Sequence, residues 1–214
     1  MGGCLVAAAV LVPGQPPRPH FPSRCIAGQR RSTGPQATAL WVAFCLGSAP
    51  ALAAVAHAGE LADPTGNATL AVQLLSGGNF VGRLVAGSLS DRVGRTAALH
   101  GNSAVLFVAC LPLAFDAAGP LSLLSLLLLG IQYGSLSPLM PAATSDAVPS
   151  QGFGATYGLI FTGWGVTGLA APVAASSLAV GVGFDGVYCI ALGVAALSWA
   201  AVALYGGCCD ATRV

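Results

Sequence analysis

The sequence predicts an all-α integral membrane bundle of six transmembrane helices. Three observations carry that prediction: too few charges for a water-facing surface, six apolar runs of crossing length, and arginines confined to one side of those runs. Of 214 residues, 55% are hydrophobic and 7% charged, and the mean hydropathy is +0.79. A soluble domain carries roughly a quarter charged residues. So few charges cannot wet an exterior, whereas a lipid-facing helix satisfies its own backbone groups and can be apolar outside. The net charge of +1 and the lack of a basic stretch with interleaved aromatics argue against a nucleic-acid partner. Cys4, Cys25, Cys45, Cys110, Cys189, Cys208 and Cys209 form no C-x-x-C pair and no His-partnered ligand spacing. Neither a metal site nor a cofactor is expected, and these cysteines read as small apolar residues. Cys208 and Cys209 adjoin the last span and carry a weak palmitoylation signal.

The six runs cover residues 37–59, 68–90, 96–115, 120–142, 154–179 and 186–206, each near the ~20 residues that one crossing takes. They divide the chain into a basic, Pro-rich leader or central loop (1–36), a six-helix bundle (37–207) and a short tail (208–214). The breaks carry the turn residues and acids: Glu60, Asp63, Pro64 and Gly66; Asp91 to Arg95; Asp116 and Gly119; Pro149 to Gly152; and Gly183 to Asp185.

The chain has eight Arg and no Lys. Arg18, Arg24, Arg30 and Arg31 precede the first span, Arg92 and Arg95 follow the second, and Arg213 follows the sixth. With six spans, all of these fall on one side, and the opposite loops hold Glu60, Asp63, Asp116 and Asp185 without an Arg. By the positive-inside rule both termini are expected in the cytosol. The tripeptide Asn67-Ala68-Thr69 is a glycosylation sequon in an outer loop, a pattern that also arises by chance. Within the leader, residues 1–12 are apolar but too short to cross, and 13–35 are rich in Pro and Arg without an acid. A targeting peptide, a short signal sequence, and the tail of an earlier helix followed by a cytosolic linker all fit.

Arg83 is the one basic residue within a span. It lies eight residues before Asp91, about 12 Å at 1.5 Å per residue, where half the hydrocarbon thickness is about 15 Å. That places it near mid-depth, at a cost of roughly 2.5–3.5 kcal/mol unless it faces the bundle interior or water. Its helical neighbours Ser76, Asn79, Gly87 and Ser90 form a polar, small-residue stripe, with Leu75, Val81, Leu84 and Val85 opposite. A guanidinium on such a stripe suits a carboxylate, and no acid in the bundle interior is an obvious partner. The competing role is structural, with the side chain snorkelling or bonding a backbone carbonyl.

The strongest local signal is Gly87-x-x-x-Asp91-Arg92-x-Gly94-Arg95, a tight link between the second and third spans. Gly87 would let a neighbouring helix approach closely, and Gly94 would permit a turn that other residues resist. Arg92 and Arg95 would interact with helix C-terminal carbonyls. Asp91 would pair with either Arg or face a helix N-terminus, contacts that a gate can make in one state and break in another.

This signature, lying between two spans, resembles the cytosolic-loop motif of the major facilitator superfamily, with Thr96 where a final basic residue is usual. The resemblance covers about residues 37–206 and is closest to the oxalate/formate antiporter and monocarboxylate porter group. The pair Gly82-Arg83 before the motif, the stretch from Phe153 through Tyr157 and Phe161 to Trp164, and Pro141 followed by Asp146 carry that closer likeness. It implies a carboxylate-binding role for Arg83. Oxalate-type members tend to carry a Lys near the position of Trp164, so the resemblance favours a monocarboxylate over a dicarboxylate. Tyr157, Phe161 and Trp164 share one helical face and would line the apolar part of a pocket, or else pack or face lipid.

Gln132 and Tyr133 are further candidates to line a path, and Pro138 and Pro141 are expected to kink their helix. Gly78-x-x-x-Gly82 and Gly154-x-x-x-Gly158 suit close helix packing. His57 and His100 sit near span ends, where a solvated imidazole or a proton role would fit, and no acid sits at mid-depth. Transporters of this kind pair two six-helix halves. The chain is therefore expected to be a C-terminal half that works with an N-terminal half or as a homodimer, carrying a small organic anion through the lipid bilayer. The other class that fits is a non-transporting membrane scaffold or an inactive fragment. An intramembrane protease would need Gly-x-Ser-Gly, of which Gly134-Ser135-Leu136-Ser137 is only a partial echo, so no enzyme is expected.

Overall fold

The structure is a computed structural model and describes residues 34–61, 68–115, 120–148 and 150–211, with the side chains of 209–211 excepted. The leader up to residue 33, Asp63, Pro64, Gly66, Asn67 of the sequon, Asp116, Gly119, Pro149 and Arg213 lie outside the described residues. Among the described residues there is no strand. Five helices follow in order: α1 (Gly34–Leu61), α2 (Ala68–Val93), α3 (Arg95–Ala114), α4 (Pro120–Ala147) and α5 (Phe153–Ala211).

Two of the expected breaks shrink to single residues. α2 runs through Asp91 and Arg92 to Val93, and only Gly94, at φ 93° and ψ 152°, separates it from α3. The expected turn at Gly183 to Asp185 is Gly183 alone, at φ 72° and ψ 174° inside the 59-residue α5. Both lie in a backbone region that is essentially restricted to glycine, so one residue redirects the chain and helix resumes at once. At Gly183 the chain reverses. Thr162 bonds Trp41 and Pro172 bonds His57, so residues 153–182 rise beside α1. Tyr188 then reaches the Pro50 carbonyl and Ser198 the Ala43 carbonyl, so residues 184–211 run back down. α5 is thus two antiparallel passes, and the described helices make six.

α1, α3, α4 and α5 are long and apolar enough to cross a membrane. α2 has the length, with 26 residues, but Gln73, Ser76, Asn79, Arg83, Ser88 and Ser90 dilute its apolarity. α4 continues as helix through Pro138 and Pro141. Two large apolar clusters stack along the bundle, one around Leu106, Leu126, Leu129 and Tyr188, the other around Leu40, Phe44, Leu99, Met140 and Tyr205, with a small third at Ala53, Ala175 and Val187. Tyr133 packs against both large clusters.

The seam between α2 and α4 is built from glycines on both sides. A Cβ at Gly78 would strike the Leu127 carbonyl, and one at Gly82 the Ile131 carbonyl. In return, a Cβ at Gly130 would strike Leu75 and one at Gly134 would strike Asn79, each at the backbone carbonyl. The expected close approach at Gly78 and Gly82 is present. The one expected at Gly87 is not, because a Cβ there would meet only the Pro138 Cβ at 3.8 Å, an ordinary contact. Gly154 and Gly158 have nothing within 4 Å, so that pair packs no helix among the described residues.

Candidate functional site

α2 has three faces. Ala71, Leu75, Gly78, Gly82 and Ala86 are buried, the glycines against α4, which takes Leu75 out of the group opposite Arg83. Val81, Leu84 and Val85 point outward and are exposed. The third face carries Ser76, Asn79 and Arg83. Asn79 is held beside the glycine seam by its own backbone, and its Oδ1 accepts from Arg83 Nε at 2.8 Å. One helical turn separates the two residues, so the short amide steers the long guanidinium. Among the described residues Arg83 makes no ion pair and no other hydrogen bond, so its two terminal amino groups remain as unpaired donors.

Arg83 lines a cavity of about 180 Å³ with Phe44 of α1, Tyr133, Leu136 and Ser137 of α4, and Tyr157, Phe161 and Trp164 of α5. The aromatic wall is continuous. Phe153 stacks on Tyr157 at 5.6 Å, Tyr157 meets Phe161 at 5.8 Å, and Phe161 meets Trp164 at 5.1 Å. Their spacing of three or four residues places them along one side of a helix. Across the cavity, Trp164 Nε1 donates to the Tyr133 hydroxyl at 2.7 Å. An indole can only donate and a phenol can do both, so this bond leaves the Tyr133 proton available to another acceptor.

Of the six residues expected to bind substrate, Arg83, Tyr133, Tyr157 and Trp164 line this cavity, and Asn79 acts on it through Arg83. Gln132 does not reach it. It is 1% exposed and turned toward α1, where its Nε2 donates to the Gly47 carbonyl at 3.0 Å. Its Oε1 has no partner among the described residues. Phe44 and Ser137, which sequence reading passed over, are added to the lining.

The motif between α2 and α3 forms a second site. Arg95 pairs with Asp91 at 2.6 Å, one turn back, and with Asp146 at the end of α4 at 3.3 Å, and it also donates to the Ser90 hydroxyl. Asp91 therefore chooses Arg95 over Arg92, which is exposed and makes no ion pair among the described residues. One guanidinium ties the ends of α2 and α4 to the start of α3. Gly94 sets this up, because its backbone reverses the chain with Arg95 as the first residue of α3.

No curated protein matches the chain. The family model described as Major Facilitator Superfamily matches residues 36–207, a span that takes in the cavity, the Arg95 cluster and all six passes. The chain is an integral membrane protein and belongs to the Major Facilitator Superfamily of transporters.

Proposed function

We propose that the chain carries a small organic anion, a monocarboxylate in preference to a dicarboxylate, by alternating access at the Arg83 cavity, with the oxalate/formate antiporter and monocarboxylate porter group as its nearest kin. The observation that carries this is the convergence of two unspent donor sets, the Arg83 amino groups and the Tyr133 hydroxyl, on one aromatic-walled cavity. A carboxylate accepts from both in the fork geometry that a guanidinium offers. Phe44, Tyr157 and Phe161 give the rest of the ligand an apolar wall. A dicarboxylate asks for a second cation, and the cavity wall carries Trp164 where the resemblance to oxalate-type members implies a Lys.

A second six-helix unit, from a longer polypeptide or a second copy, would cover the Arg83 face. Arg83, Ser76 and Phe80 are exposed on this bundle alone, and a bare arginine at mid-depth costs roughly 2.5–3.5 kcal/mol. The Arg95 cluster would lie at the cytosolic end and act as the lock that opens and closes there, because moving α4 away from α3 must break the bond to Asp146. The test is uptake of radiolabelled formate, acetate, pyruvate and benzoate into vesicles carrying the full-length protein. Arg83→Gln is expected to abolish uptake while the protein still reaches the membrane. Uptake retained by that variant removes Arg83 from the mechanism.

A further inference from the structure

The end of the bundle opposite the Arg95 cluster has a cluster of its own. α2 separates the two ends with 26 residues, about 39 Å of helix at 1.5 Å per residue. At the far end His57 interrupts α1 at φ −117° and ψ 21°. Its ring is inserted between three elements. Nδ1 faces Glu60 Oε2 at 3.3 Å, Nε2 faces the Pro172 carbonyl of the rising pass of α5 at 3.3 Å, and the ring rests on Phe184 at 5.3 Å, one residue past the Gly183 reversal. The His57 side chain is 14% exposed, so it is not a solvated interfacial histidine.

A carboxylate and a carbonyl are both acceptors. A neutral imidazole has one N–H and can satisfy one of them, while its lone pair is turned on the other. Both contacts become hydrogen bonds only when the pair holds one further proton, as imidazolium facing carboxylate or as neutral imidazole facing carboxylic acid. No other titratable side chain competes from the rising pass, where residues 158–182 contain none. On the returning pass, Asp185 is turned back against Gly183 and Tyr188 is committed to the Pro50 carbonyl. His100 shows the opposite arrangement. Its Nδ1 faces the Trp199 indole N–H at 2.9 Å and must accept, which needs no added proton.

We propose that His57 and Glu60 form a proton-binding latch, in which one bound proton lets the ring hold the Glu60 carboxylate and the Pro172 carbonyl of the rising pass of α5 at once, and its loss gives up one of the two bonds. The latched form binds one proton more than the released form, so lowering the pH favours it. This assignment is independent of what the Arg83 cavity carries. In a transporter it would make closure of this end proton-linked.

The experiment is thermal unfolding of the purified full-length protein in detergent at pH 8 and pH 5.5. Wild type and the control His100→Gln are expected to gain about 2–4 °C on acidification beyond the change in His57→Gln, the shift expected for one such contact in a chain of this size. Glu60→Gln is the decisive variant, because its amide can donate to Nδ1 while Nε2–H donates to Pro172. It is expected to lose the acid-dependent gain and to melt no lower than wild type at pH 8. If Glu60→Gln keeps the full wild-type response to pH, or His100→Gln loses it, the latch is wrong, and this holds even if His57→Gln fails to fold.

Discussion

Two seams hold this bundle together in opposite ways. Between α2 and α4 the contact is backbone on backbone, with Gly78 and Gly82 set against Gly130 and Gly134 and no room for a Cβ at any of them. Between α1 and the rising pass of α5 the contact runs through polar side chains. Trp41 donates to Thr162, the Cys45 thiol to the Gly163 carbonyl, and Thr167 to the Cys45 carbonyl. Lipid offers helices no hydrophobic reason to associate, so small-residue packing and side-chain hydrogen bonds are the two devices open to them. Here each device has its own place. The glycine seam fixes the helix that carries Arg83 against the helix that carries Tyr133, so the two donors of the cavity are set by a rigid contact. The polar seam positions the aromatic wall with bonds that can exchange one at a time.

The glycine seam should be the more fragile under substitution. Gly82→Ala and Gly134→Ala each force a Cβ onto a backbone carbonyl, with an expected loss of at least about 1–3 kcal/mol for overpacking, read as a fall in melting temperature in detergent. Gly183→Ala should come next, because its φ of 72° and ψ of 174° suit only glycine, at about 1–3 kcal/mol. Thr167→Val in the polar seam removes hydroxyl bonds to Cys45 and Gly163, with an expected loss near 0.6 kcal/mol, the average for such bonds in membranes. Gly87→Ala should change least, since its Cβ has room and alanine favours helix by about 1 kcal/mol over glycine. A Thr167→Val loss larger than that of Gly82→Ala would invert the comparison.

The sequence exposes these seams unevenly. The passes are legible because an apolar run of crossing length has few other fates, and Arg83 is legible because a lone charge in such a run demands an explanation. The stripe of Asn79 and Arg83 follows from helical spacing, and so does the shared face of Tyr157, Phe161 and Trp164. Glycine spacing alone does not say which face meets a helix. Gly78-x-x-x-Gly82 has a partner, Gly154-x-x-x-Gly158 has none among the described residues, and Gly130-x-x-x-Gly134 becomes meaningful only once α2 is known to lie on it. The pairing of Arg95 with Asp146 joins residues 51 apart in the chain and is a product of tertiary folding. A polar residue in a span suggests a path, but Gln132 is held instead by the buried Gly47 carbonyl.

The proposed transport requires an anion to meet Arg83 beside Trp164. With Trp41, Trp199 and any tryptophan outside these 214 residues replaced by Phe, Trp164 is the reporter left of the three here, and it lies on the cavity wall, bonded to Tyr133. Titrating the purified full-length protein with a monocarboxylate such as pyruvate should give a saturable change in Trp164 emission. Arg83→Gln should abolish that change, and Tyr133→Phe should weaken it. A saturable signal of the same midpoint in Arg83→Gln would contradict the account and place the anion elsewhere.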